Sequence, residues 1–237
     1  EPGVSQELAK WRAAHYSDVR YKLNLALEKM SPVLKGTMEI RLRASSPTVK
    51  EGASTQGETR AAVPPIILDW RKIPGHEKDS TVTNITLNEI PLFNGDQRPE
   101  GLAPSPAFKY HEINDHLILS GGIKSGENVI NLDFTSPILT SGSAITRYVD
   151  KEDGSEYIYS LFVPSDASTA FPVFDQPDLK AKFSLSISRP DDWLVVSNTA
   201  GAAKTEFSAF PEGQNPTFTH LSLFPETQPI STYIFAF

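Results

Sequence analysis

The sequence predicts an all-β protein, a mainly antiparallel sandwich or saddle, with one short N-terminal helix. Three observations predict it. Apolar and polar residues alternate at period two in run after run. Turn residues and most of the 19 prolines fall between those runs. A helical pattern shows only at the start, where Ser5 suits an N-cap, Gln6 and Glu7 suit a first turn, and Leu8, Trp11 and His15 share a face. Ser17-Asp18 is expected to end that helix.

The elements follow in order. Val19, Tyr21, Leu23, Leu25 and Leu27 alternate with polar or small residues, which gives a strand with one buried face. After the Lys29–Pro32 connection, Leu34, Gly36, Met38, Ile40 and Leu42 repeat the pattern, so the two runs should pair as an antiparallel hairpin. Residues 45–64 lack apolar periodicity and read as a surface loop. Further strands are expected at 65–70, 82–88, 107–119, 127–134, 145–150, 156–163, 180–188, 193–198, 205–210, 216–224 and 231–237. No internal repeat is evident.

Composition narrows the function. The 237 residues allow a large core, and the net charge of −7 with pI near 5.3 argues against non-specific nucleic-acid binding. No apolar run approaches a membrane span. The absence of cysteine excludes a disulfide frame or a thiol catalyst. The chain starts Glu1-Pro2-Gly3, so a removed leader or a trimmed start is expected. It stops on the apolar run Ser231–Phe237, which suggests a cut at a domain boundary.

Few motifs carry chemistry. His111-Glu112-Ile113-Asn114-Asp115-His116 is one residue longer than the zinc-peptidase motif H-E-x-x-H. On a helix, i,i+5 histidines lie roughly 140° apart, and on a strand they point to opposite faces. This stretch reads as an accident on a partly solvated strand. His15, His76 and His220 are isolated. Asp191-Asp192 reads as a turn before a strand rather than an acid/base pair, and Asn84-Ile85-Thr86 is a formal glycosylation sequon within a strand. The unusual segment is Phe171-Pro172-Val173-Phe174-Asp175-Gln176-Pro177. Its prolines forbid an interior strand and suggest a rigid loop with the phenylalanines pinned in a core and Asp175 accepting backbone N–H bonds.

The run 156–188 resembles the N-terminal domain of the aminopeptidase N family of zinc metallopeptidases, the gluzincins. The family pattern T-Q-F-E-x-x-D-A-R-R-A-F-P-C-F-D-E-P, then K-A-x-F, is matched by Asp166-Ala167, Ala170-Phe171-Pro172, Phe174-Asp175, Pro177 and Lys180-Ala181-Lys182-Phe183, with Val173 at the Cys position. The helix leading into Val19-Arg20-Tyr21 and the ending Ser231–Phe237 are similar to the family's opening and closing segments. The resemblance implies that residues 1–237 are one N-terminal β-saddle domain, packed on a catalytic domain of the same polypeptide and forming part of the substrate cavity wall.

The resemblance also implies a division of labour. The family's zinc motifs belong to the catalytic domain, so this chain is expected to hold neither catalytic nor metal-binding residues, with zinc in the parent and peptides as its substrates. Gly36-Thr37-Met38-Glu39-Ile40 is one residue short of the family's amine-binding G-x-M-E-N, but lies in the second predicted strand. Ser160, Leu161 and Val163 are the candidate substrate-binding residues. Leu161 stands where the family has its amine-holding Gln, and Val163 where it has the acid. Neither side chain accepts a hydrogen bond. Four readings stay open: the amine is held by the catalytic domain alone, the two residues line an apolar pocket wall, they are buried core, or the register is shifted. A free-standing binding module or a catalytically dead scaffold is the alternative function, and exposed aromatics on a strand face would favour the module. An exported, extracytoplasmic location is the expectation for such a chain.

Overall fold

Alternating burial becomes sheet from the first strand onward. The computed structural model describes residues 3–45, 63–95, 108–208 and 217–237. Helix α1 (Gln6–His15) passes without a loop into β1 (Tyr16–Ala26), which is followed by β2 (Val33–Ala44), β3 (Ile66–Asp69), β4 (Thr81–Leu87), β5 (Ile90–Pro91), β6 (Phe93–Asn94), β7 (Lys109–Ile113), β8 (His116–Ser120) and β9 (Gly126–Pro137). Then come β10 (Ile145–Val149), β11 (Glu156–Ser160), β12 (Ala181–Arg189), β13 (Ala202–Ser208) and β14 (Thr217–Phe224).

The main sheet has eight strands in the order β13-β14-β12-β1-β2-β9-β4-β5. The predicted β1–β2 hairpin is present, with Leu23 opposite Met38 and Leu25 opposite Gly36. On its other edge β1 pairs in parallel with β12, bringing Tyr21 beside Phe183. Because the two strands meet in register, their aromatic rings stack at 4.9 Å between centroids. Strands β3-β8-β7-β6 form a second sheet and β10-β11 a third. One contiguous apolar core joins these sheets, with Leu23, Leu34, Ile66, Leu117, Phe171 and Phe183 among its buried side chains.

Several boundaries correct the sequence reading. Helix α1 ends at His15, and Ser17-Asp18 instead makes a bulge inside β1, with Asp18 at φ 49°. The single strand expected at 107–119, of which residue 107 lies outside the described residues, is instead a hairpin of β7 and β8, because Asn114 and Asp115 take φ of 51° and 63° and turn the chain. The strand expected at 156–163 stops at Ser160. Residues 193–198 form no strand. The run 231–237 is not a strand either: Thr232–Ile234 make one 3₁₀ turn, because the hydroxyls of Ser231 and Thr232 bond the carbonyls of Pro177 and Phe174 at 2.6 and 3.0 Å. Of the strand expected at 205–210, residues 205–208 belong to β13, which begins at Ala202, and 209–210 lie outside the described residues. Most of the loop expected at 45–64 lies outside the described residues.

Candidate functional site

The segment Phe171–Pro177 is the hub of the fold. Phe171, Val173 and Phe174 are buried, as the two-proline pattern predicts. Several of its backbone groups bond outside the segment. Val173 bridges Asp69 through backbone bonds of 2.7 and 3.1 Å, the Phe174 N–H donates to the Tyr21 hydroxyl at 2.9 Å, and the Asp175 N–H donates to Asp69 Oδ2 at 2.8 Å. Asp175 Oδ2 accepts from the Ser168 N–H at 3.0 Å, the backbone bond expected of it.

The Asp69 carboxylate collects four hydrogen bonds from three other elements. Buried Arg12 of α1 grips both carboxylate oxygens at 2.7 and 2.8 Å, and His116 of β8 donates through Nδ1 at 3.0 Å. The fourth comes from Asp175. Burial pushes the Asp69 carboxyl up, but the bonds from His116 and Arg12 and the Arg12 charge outweigh burial and hold it below the ordinary carboxylate range. The Arg12 guanidinium also stands 5.4 Å from the Phe174 ring centroid. Both carboxylate oxygens are occupied, so this network anchors the helix and the hub loop and has no free face for chemistry.

His116 therefore corrects the reading of residues 111–116. It is a buried member of this network and not a polar residue on a solvated strand, whereas the ring of His111 packs against Gly95 across the second sheet. The other isolated residues have local uses. His15 donates to the Trp11 carbonyl at 2.7 Å, and His76 pairs with Asp79 at 3.2 Å. His220 lies in β14. Asp191-Asp192 make the expected turn, and Asp192 pairs with Lys29 at 2.5 Å, but no strand follows. The Asn84 amide donates to Asp133 at 2.7 Å within the sheet. Gly36 needs no active-site explanation, since a Cβ there would lie 2.4 Å from the Phe134 ring. Among the described residues, no three His, Cys, Asp or Glu side chains form a group able to hold a metal ion.

The open surface lies on β10–β11 and just beyond it. Tyr157 and Tyr159 are about half exposed, and Leu161 and Val163 continue the same parity at 57% and 52% exposure. Tyr148 stands beside Tyr157 at 6.1 Å between ring centroids. Core burial is thereby excluded for Leu161 and Val163. Leu161 lines a groove of about 470 Å³ together with Tyr159, Ile73, Thr169 and the ion pair Arg71–Asp166. Ser160 faces elsewhere: its N–H donates to the Phe237 carbonyl at 3.0 Å, and its hydroxyl accepts from the Phe237 N–H at 2.9 Å. Of the three candidates, the structure brings Leu161 to the groove, places Val163 further along the exposed row, and uses Ser160 to hold the chain's last residue.

Sequence reasoning missed Arg12, Asp69 and the Arg71–Asp166 pair. A charge closing the apolar run Ile66-Ile67-Leu68 signals a buried counterion, because a buried charge persists only when paired. It does not say which arginine answers.

Comparison with known proteins adds an independent line. The family model described as the Peptidase M1 N-terminal domain matches residues 106–234. An aminopeptidase N of Streptomyces lividans is 32% identical over 114 residues, covering 48% of this chain and 12% of that protein. Aminopeptidase M1-B of Oryza sativa subsp. japonica is 28% identical over 115 residues, covering 46% and 13%. Glutamyl aminopeptidase of Sus scrofa is 24% identical over 244 residues, covering 100% of this chain and 22% of that protein. The match thus takes in an eighth to a fifth of the length of these relatives.

Proposed function

The chain belongs to the Peptidase M1 N-terminal domain family, and from that premise we propose that it is the non-catalytic β domain of a larger metallo-aminopeptidase. In this reading it rests on the catalytic domain of the same polypeptide and contributes part of the wall beside a peptide's amino terminus. The zinc that the family resemblance implies has no donor set among the described residues of this chain, so it would be held elsewhere in the parent.

The observation that carries the reading is the exposed row Tyr157, Tyr159, Leu161 and Val163, half open to solvent beside the Leu161 groove. Four large exposed side chains, two on β11 and two just beyond it, make a largely apolar surface that gains by being covered, and such patches mark interaction sites. The Leu161 side chain would give the substrate an apolar contact without hydrogen-bonding its ammonium group, which then depends on acceptors in the catalytic domain.

Steady-state kinetics of the parent polypeptide test this. Leu161→Lys should lower kcat/KM on aminoacyl anilides by about tenfold or more, through an ammonium group placed beside the substrate's own. Leu161→Met should keep it within about twofold. Unchanged kinetics in Leu161→Lys would remove Leu161 from the cavity wall.

The tyrosines support a second reading, a binding module whose aromatic face takes carbohydrate. Calorimetric titration of this chain with oligosaccharides separates the two readings. Binding lost in Tyr157→Ala and Tyr159→Ala would favour the module.

A further inference from the structure

The ribbon β10–β11 that carries the tyrosine row is a sheet of two strands, and two paired strands alone are marginally stable in water. Its tilt is therefore set by what lies under it. The Leu161 N–H donates to the Ala144 carbonyl at 2.8 Å, in register with the pairs Tyr159–Thr146 and Tyr157–Tyr148. Such pairs exchange backbone bonds in an antiparallel ladder, so the Tyr157 and Tyr159 amides are tied to β10. Side chains alternate across the ribbon. Glu156, Ile158 and Arg147, which stands opposite Ile158, therefore share the face away from the tyrosines.

That inner face meets the turn between β1 and β2. Ile158 packs against the apolar core. Beside it, Arg147 Nε donates to Glu156 Oε1 at 2.6 Å, and the two side chains are only 10% and 7% exposed. Each then reaches the turn. Arg147 Nη2 donates to the Ser31 carbonyl, and both Glu156 oxygens accept from the Met30 N–H at 3.1 Å. Met30 stands at φ 55°, a left-handed conformation that is costly for a residue with a Cβ, and the carboxylate holds it there.

An ion pair buried this far is weak support for stability, because the desolvation of both charges offsets their attraction. What it supplies here is direction. One guanidinium and one carboxylate, from the two strands of the ribbon, bond two successive residues of the turn.

We propose that Arg147 and Glu156 are positioning residues, which lock the ribbon on the β1–β2 turn and so hold the Tyr159 ring in the wall of the Leu161 groove. Tyr159 lines that groove from the face of β11 opposite the pair. Its backbone pairs with Thr146, the residue before Arg147, so a tilt of the ribbon about the turn carries the ring with it. The effect on peptide hydrolysis rests on the reading that the groove walls the substrate cavity of a larger enzyme.

Residue-resolved hydrogen exchange and steady-state kinetics on the parent polypeptide test the proposal. Removing one partner would leave the other charge buried, so the variant replaces both, Arg147→Met with Glu156→Met, at similar volume. In it the Tyr157 and Tyr159 amides should exchange about tenfold faster or more. KM for aminoacyl anilides should rise about tenfold at unchanged kcat, as when a contact common to ground and transition states is lost. A variant that is merely less folded would lower kcat and leave KM alone, which would overturn the proposal. Arg147→Lys keeps a charge for Glu156 but gives up the planar fork, so it should show the same two shifts at smaller size. Tyr159→Ala should raise KM as much as the double replacement, and the two combined should raise it no further, because the pair acts through the ring. Unchanged exchange in the double variant overturns the lock, and a further rise of KM in the combination overturns the route through Tyr159. Faster exchange in a parent without aminopeptidase activity keeps the lock and sinks the peptidase reading.

Discussion

Burial pushes the Asp175 carboxyl up to about 6, against the hydrogen bonds it accepts from Ser168. The folded protein therefore holds this proton more tightly than the unfolded chain, whose carboxyl titrates near 3.9. The stability linked to the neutral form is complete below about pH 4 and is lost as pH rises through about 6, an effect on the order of 3 kcal/mol. Asp69 runs the other way. Its carboxyl is held low, so its contribution stands above the unfolded pKa and is lost only as pH falls through the lower folded value. Thermal midpoints of Asp175→Asn should lose the fall between pH 4 and 6, since Asn keeps an acceptor for the Ser168 N–H; an unchanged fall would assign it to another group. Arg12→Ala should cost about 3–5 kcal/mol by urea denaturation, because Asp69 loses two charge-assisted bonds in a buried place. A loss below about 1 kcal/mol would show that water or His116 replaces the guanidinium. The buried phenylalanines and the role of Asp175 were legible in the sequence, since two prolines leave the backbone few options. Arg12 was not, because its face of α1 reads as polar and its partner is 57 residues away.

Strands with clean alternation were legible as elements, and the β1–β2 hairpin stands in its expected place. Errors gathered where an apolar run is short and other forces compete. Asn114-Asp115 carries the turn chemistry of a tight hairpin, but the apolar residues on both sides give one continuous strand-like run. At 231–237 the apolar run is real, and its burial is achieved by a 3₁₀ turn that the hub loop holds through two hydroxyls. Phe235 then stacks on Phe183 at 4.4 Å and meets Phe162 and Phe171. Phe235→Ala should cost about 3–5 kcal/mol, read as a lowered denaturation midpoint at unchanged slope. Leu194→Ser, at an exposed site of the unpaired segment, should change the stability of 1–237 by less than about 0.5 kcal/mol. Comparable losses in both variants would mean that the segment around Leu194 packs more deeply than its exposure indicates.

At the scale of the molecule, the sheets, the hub loop and the last residues share one apolar core, yet the row Tyr157, Tyr159, Leu161 and Val163, on β11 and just beyond it, faces outward. The chain belongs to the Peptidase M1 N-terminal domain family, and it spans about an eighth to a fifth of the length of the relatives it matches. The family was legible because residues 156–183 carry its pattern at a structural hub, where packing restricts the choice of residue. The groove was not legible, because Arg71, Asp166 and Leu161 meet only after β3 and the hub loop are brought together. The most direct test is aminopeptidase activity, measured on the parent polypeptide and on chain 1–237, before and after a zinc chelator. The account predicts turnover by the parent that is lost on chelation and restored by zinc, with none from 1–237 in any state. A parent that hydrolyses no aminoacyl anilide or peptide with zinc supplied would contradict it.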